Sequence, residues 1–433
     1  MSETMHKDNV FRNRNFRLVF LGALVSELGA ILYSFAVSFY ILDISRSNAF
    51  LQGLYLALCG IAMLVLTPAG GVLGDRMSKA RIMYVCDYLK GSMILLAAGL
   101  MKLFPGPAEQ LVILFALGIL GNMVSGVFNP AAGALFPHIV REDQLQQANS
   151  YFTMKNALEN IFGIILAGIL YAAMPVRALF VLVGLCYIAS GISEMLIRYE
   201  FRPPEDRLTL KLAVSDMAEG INYLRTKKAI LTLLIATLFI NFFFAPVTGN
   251  FLPYFVKTDL SGSSHYLLDS ILTPEQWSSV FFACFGVSSL AGAAVLSGRA
   301  QSDRCGRKVS LLLCAVAAVM VCLTGCYLFF ADRGTQISYF LIAFSLGFFA
   351  IGFLISNINI PISTAVMRVV DRDKLSKVSS ITSIGSQGMI PIASMLAGII
   401  LKVFGSTALL VFCTLGFTVT AVVLLFSPQI KEL

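Results

Sequence analysis

Twelve long apolar runs, separated by short polar junctions, constrain this chain more than any other feature. They cover residues 18–42, 50–73, 82–104, 110–136, 146–173, 177–197, 229–256, 277–297, 309–331, 337–366, 378–402 and 406–427. A helix crossing the hydrocarbon core of a bilayer needs about 20 predominantly apolar residues, so each run reads as one membrane-spanning helix. The prolines inside them (Pro68, Pro130, Pro246, Pro361, Pro391) do not oppose this, because spanning helices tolerate proline. Only 13% of the 433 residues are charged, against roughly a quarter in soluble domains. The first run is too long for the apolar core of a secretory signal and is read as a span.

Lys and Arg fall unevenly between the runs. Arg46, Lys102, Arg177, Lys257, Arg333 and Lys402 stand one at each odd-numbered junction. The even-numbered junctions carry Arg76, Lys79 and Arg81; Arg141; seven between 198 and 228; Arg299, Arg304, Arg307 and Lys308; and Arg368, Arg372, Lys374 and Lys377. Basic residues mark the cytoplasmic side, so both termini are expected in the cytoplasm. This distribution accounts for the net charge of +8 without invoking nucleic acid. The nine cysteines lie mostly within apolar runs and read as small packing residues, not metal ligands or disulfides. No Gly-x-x-x-x-Gly-Lys-Ser/Thr phosphate loop occurs, so ATP-driven work is not expected of this chain. No enzyme and no bound cofactor are expected.

The halves of the sequence repeat. "LGDRMSKAR" after the second run matches "QSDRCGRKV" after the eighth, pairing Asp75 with Asp303 and Arg76 with Arg304 at an offset of 228 positions. "VREDQLQQANS" before the fifth run matches "VDRDKLSKVSS" before the eleventh, and "LAGIL" (166–170) matches "LAGII" (396–400), both at an offset of 230. Such a parallel repeat implies two bundles of six helices with a cavity between them near the midplane. The expected organisation is an N-terminal bundle (1–198), a cytoplasmic linker (199–228) and a C-terminal bundle (229–433). In the linker, "RPPEDR" breaks helix, while Leu212, Met217, Ile221 and Leu224 recur at the spacing of a short amphipathic helix.

These motifs resemble those of the major facilitator superfamily. Its signature, Gly-x-x-x-Asp-Arg-x-Gly-Arg-Lys, is matched at Gly71, Asp75, Arg76 and Lys79, with Ser78 in place of the second Gly. The second copy carries Asp303, Arg304, Gly306, Arg307 and Lys308, with its first Gly displaced to Gly298. Within the superfamily, "FRNRNFRLVFLGALVSELGAILYSFAVSFYILD" and "FNPAAGALFPHIVREDQLQQANS" resemble bacterial drug–proton antiporters of the macrolide-efflux and enterobactin-exporter kind. The resemblance implies an all-α membrane protein of twelve helices in two six-helix bundles. Two departures stand out: the fourth run offers Asn122 where sister antiporters carry Arg, and the fifth lacks their Gly-Pro motif.

Ionisable residues inside a span are costly and mark function. Glu27 lies near the middle of the first run, with no Lys or Arg nearer in sequence than Arg17. Lys155 and Glu159 stand one helical turn apart in the fifth run and read as an ion pair. In the fold the resemblance implies, the first and fifth spans share a bundle, so Glu27, Lys155 and Glu159 form the expected proton-coupling set. Asp87 with Lys90, and Glu194 with Arg198, read as ion pairs near the cytoplasmic surface. The Asp-Arg loops (Asp75, Arg76, Asp303, Arg304) read as gating latches against helix ends. Asn122, Asn241, Asn250, Phe244, Asn357, Asn359 and Gln387 are the expected substrate contacts, an apolar cavity with few polar anchors.

The expected function is secondary active export of an amphipathic small molecule of drug or macrolide type, by proton-coupled antiport. It would run on the proton gradient without a cofactor. A lipid or lysophospholipid translocator and a siderophore exporter are alternatives within the same fold, and a non-transporting membrane sensor or scaffold is a third. The protein is expected in the bacterial cytoplasmic membrane, surrounded by lipid and acting as a monomer.

Overall fold

A backbone surrounded by lipid must satisfy every N–H and C=O internally, which leaves helices as the economical solution for apolar runs of this length. A computed structural model describes residues 10–141, 144–198, 222–263, 265–297, 305–331, 337–370 and 387–428. Its helices of ten or more residues are α1 (Arg14–Ile44), α2 (Ala49–Arg76), α3 (Lys79–Leu103), α4 (Pro107–Ile139), α5 (Leu145–Leu158), α6 (Ile164–Ala173), α7 (Val176–Met195), α8 (Lys228–Pro246), α9 (Pro274–Ser297), α10 (Cys305–Cys326), α11 (Ile337–Val369) and α12 (Ile390–Phe426). No strand occurs among the described residues. Among the described residues, eleven candidate spans are long and apolar enough to cross a membrane. Their apolar residues also cover the outside: Leu103 is 72% and Phe404 70% exposed, a surface suited to lipid.

The last of these spans is two helices in one. At 1.5 Å per residue, its 37 residues would extend about 55 Å, well beyond a hydrocarbon core of ~30 Å. The break is at Gly405, with φ 81° and ψ −178°. That backbone region is essentially restricted to glycine. The arm before it packs Gly398 on Ala49 and Gly53 of α2. The arm after it pairs Thr414 with Thr324 of α10. The chain is therefore an all-α membrane protein with twelve spans.

Among the described residues, four segments wind as π-helix: Glu159–Gly163, Val247–Phe251, Val256–Leu260 and Tyr327–Ala331. Two of them follow prolines, Pro246 and Pro253, which lack the N–H that the regular ladder needs. Wide turns of this kind free carbonyls for side chains from neighbouring helices. The Gly249 carbonyl accepts from Gln52 Nε2 of α2 at 3.2 Å.

The chain divides into two compact units. One comprises Met1–Ser34, Ala62–Gly163 and Pro175–Leu210; the other comprises Phe35–Ile61, Ile164–Met174 and Lys211–Leu433. In the first unit, Phe16, Met83, Leu135 and Ile139 are buried together, and Phe11 meets Phe16, Phe20 and Tyr151 edge-on. The core of the second is aromatic: Phe251, Phe255, Phe281, Phe340, Phe344 and Phe348 are all buried. This unit also holds the later part of α1, all of α6 and the start of α2 against the C-terminal half of the sequence.

Candidate functional site

In the first unit, the fifth run turns Lys155 and Glu159 toward α1. Lys155 Nζ donates to Glu27 Oε2 at 2.6 Å and to Glu159 Oε2 at 2.9 Å. The environments of the two carboxylates differ sharply. The Glu27 side chain is 51% exposed, whereas that of Glu159 is 3% and that of Lys155 fully buried. Glu159 Oε1 has no hydrogen-bond partner among the described residues. One ammonium thus serves two carboxylates, one wet and one dry. In this arrangement a proton on either carboxyl transfers the lysine's attraction to the other.

The second unit holds a cluster that the sequence reading missed. Lys257 Nζ lies 2.7 Å from Asp43 Oδ1 and 2.6 Å from Glu275 Oε1. Tyr171 Oη donates to Asp43 Oδ2 at 2.6 Å, and the Lys257 ammonium sits over the rings of Tyr171 and Phe39. Four elements meet here: the end of α1, α6, the π segment Val256–Leu260 and the start of α9. In the sequence Lys257 served only as a topology marker. The available signal was an acid and a base, each at the edge of an otherwise uncharged run.

The same unit uses both copies of the repeated Leu-Ala-Gly-Ile. A Cβ on Gly398 would lie 2.8 Å from the Ala49 carbonyl oxygen, and one on Gly168 would collide with the Ser279 hydroxyl. That hydroxyl donates to the Ile164 carbonyl at 2.8 Å. The repeated glycines are the points where α12 crosses α2 and where α6 crosses α9.

The expected substrate contacts are distributed differently. Asn122 and Asn357 donate to carbonyls of their own helices, Gly118 and Phe353, both at 2.9 Å. Asn250 is buried and donates to the Ser394 carbonyl at 3.3 Å, its Oδ1 unpartnered among the described residues. Asn241 and Phe244 are half-buried on α8, while Asn359 and Gln387 are exposed. None of these residues lines the apolar groove of about 560 Å³ between α8 and the second arm of α12. Of the latch residues, Arg76 is exposed at the end of α2. The Asp75 side chain, Asp303, Arg304 and most of the 199–228 linker lie outside the described residues.

Two expected ion pairs need correction. Asp87 and Glu194 are both fully buried, and no carboxylate oxygen of either has a hydrogen-bond partner among the described residues. Lys90 instead places its ammonium over the rings of Phe128 and Tyr187, 5.0 and 5.3 Å from their centroids, a favourable setting for a desolvated cation. Arg198 is exposed, so a partnership with buried Glu194 does not form.

The comparisons with known proteins agree with this architecture. The chain is similar to the uncharacterized MFS-type transporter YkuC of Bacillus subtilis (strain 168), 25% identical over 297 residues, covering 66% of this chain and 65% of that one. It is also similar to Macrolide efflux protein A of Streptococcus pyogenes, 23% identical over 239 residues, 54% of this chain and 57% of the other. The chain thus spans less than two thirds of the length of these two relatives. Among solved structures, the D-xylose-proton symporter superposes with a TM-score of 0.73 at 13% identity, covering 98% of this chain and 100% of that one. The bacterial homologue of the iron transporter ferroportin gives 0.68 at 16% identity, covering 94% and 98%. At such identities the likeness speaks for fold alone. The model of the Major Facilitator Superfamily matches residues 19–393. With its helices, its span count and this match in agreement, the chain belongs to the Major Facilitator Superfamily and is a multi-pass membrane protein.

Proposed function

We propose that this protein is a secondary active exporter of amphipathic small molecules, coupled to protons by antiport and working by alternating access. The observation that carries the coupling is Lys155 held between exposed Glu27 and buried Glu159. With Glu27 ionised, the lysine is shared. A proton arriving at Glu27 through water cancels its charge and leaves the ammonium to Glu159 alone, which changes the pull between α1 and the fifth span. Release of that proton on the cytoplasmic side restores the shared state. The cycle draws on the proton gradient and needs no cofactor.

The two six-helix bundles of the repeat are the moving bodies. The Asp43–Lys257–Glu275 cluster and the Gly168 and Gly398 crossings are the contacts that close the non-cytoplasmic end. Asp75, Arg76, Asp303 and Arg304 latch the cytoplasmic end. Asn122, Asn241, Asn250, Phe244, Asn357, Asn359 and Gln387 contribute the polar and aromatic anchors for cargo. The likeness to Macrolide efflux protein A supports export and a bulky lipophilic cargo. The protein works as a monomer in the bacterial cytoplasmic membrane, with both termini inside.

The test is macrolide-driven proton flux in proteoliposomes, wild type beside Glu27→Gln. The reading expects flux in the wild type and its loss in the variant. Full gradient-driven transport by Glu27→Gln sinks the coupling assignment. Macrolide binding without flux in the wild type favours a sensor or scaffold.

A further inference from the structure

We propose that Asp87 and Glu194 share one proton, making a second proton-holding site distinct from the Glu27–Lys155–Glu159 cluster. The site lies where α1, α3 and α7 pack in the first unit. Asp87 and Glu194 are each 0% exposed and Ser190 is 1% exposed. All four carboxylate oxygens and the Ser190 hydroxyl lack a hydrogen-bond partner among the described residues. The hydroxyl lies beside Asp87, and the two carboxylates lie within electrostatic reach of each other.

The charges around the pair do not balance. Among the described residues, Lys90 is the one cation facing it, and its ammonium lies within Coulombic range of both carboxylates while resting on Phe128 and Tyr187. Among the described residues, the other titratable groups at the site are Cys86 on α3 and Tyr187 on α7, and Tyr187 also lies within Coulombic range of Glu27 and Tyr33 of α1. Two carboxylates against one ammonium leave one negative charge uncompensated in a dry setting. A buried ionised carboxyl without a partner takes up a proton instead of bearing the desolvation cost. One proton shared between the two carboxyl groups also gives two of the four orphaned oxygens a hydrogen bond.

A metal cation fits less well. Hard cations want about six oxygen ligands, whereas the site offers four carboxylate oxygens and one hydroxyl with an ammonium alongside. The pair is closed over by Gly22 of α1, where a Cβ would lie 3.3 Å from Ser190 Oγ and 3.4 Å from Glu194 Cγ. The same helix carries Glu27 five residues on. Displacement of α1 therefore opens the pair to water, which lets the proton exchange.

The experiment is infrared difference spectroscopy of the full-length protein in lipid at neutral pH, read at the protonated-carboxyl C=O stretch. The wild type is expected to show such a band, shifted in D₂O. The band is expected to persist in Glu27→Gln/Glu159→Gln and to vanish in Asp87→Asn/Glu194→Gln. Should the double variant fail to fold, Glu194→Gln alone is expected to lose the band, because the remaining carboxylate then ionises opposite Lys90. A band that survives these Asp87 and Glu194 changes overturns the proposal. So does a band that appears only when sodium is replaced by choline. The readout involves no transport, so it is independent of whether Glu27 couples to cargo.

Discussion

Lys257 Nζ stands 2.7 Å from Asp43 Oδ1, joining the end of the first span to the seventh. Glu275 holds the same ammonium at 2.6 Å, so removing the lysine leaves two carboxylates facing each other. Lys257→Met is expected to lower stability toward the lower end of the ~3–5 kcal/mol typical of a broken buried pair, because Asp43 stays 36% exposed and partly hydrated. Lys257→Arg should avoid most of that loss. Thermal melting in detergent measures both, and equal losses for Met and Arg would count against an ion-pair role.

The glycine crossings make a prediction with an internal control. A side chain at Gly398 meets backbone of α2, which cannot swing away. Gly398→Val should therefore cost about 1–3 kcal/mol, the usual cost of overpacking, and slow any transport that depends on closing this end. Nothing lies within 4 Å of a Cβ at Gly99, so Gly99→Ala should be neutral or stabilising by up to ~1 kcal/mol through helix propensity. Chemical denaturation of the two variants side by side decides the point.

At Gly405, any side chain must adopt a backbone region that glycine alone enters freely. Gly405→Ala is expected to cost about 1–3 kcal/mol while leaving the helix content unchanged by circular dichroism. A variant as stable as the wild type would mean that the turn between the last two spans is formed differently.

In the coupling cluster, Lys155→Met strands Glu159, whose side chain is 3% exposed, and should cost about 3–5 kcal/mol. Glu27→Gln should cost far less, since Glu27 keeps its water. Adding Glu159→Gln to Lys155→Met should recover much of the loss, a coupling of ~0.5–3 kcal/mol in a double-mutant cycle. Simple additivity of the two changes would separate Lys155 from Glu159.

Much of this fold was legible because lipid imposes a simple rule on length and polarity. The gap between the runs ending at 402 and starting at 406 anticipated the reversal that Gly405 makes. The Lys155–Glu159 pair was legible because one helical turn separates the residues. Its link to Glu27 depended on knowing which spans share a bundle. Local spacing misled at Asp87 and Lys90: it could not show that two aromatic rings, one on α4 and one on α7, compete for the ammonium. Nothing in the order of residues connects Asp43 to Lys257, because their meeting depends on how four separate elements converge.

The fifth span also passes from one compact unit to the other at Gly163, at the end of the π turn Glu159–Gly163. Glu159 opens that turn. A carboxylate that shares Lys155 therefore sits at the place where the helix has already given up its regular winding. Glu159 thus belongs both to the charge cluster and to the irregular turn, so a change in charge on it acts on the helix where its winding is least regular.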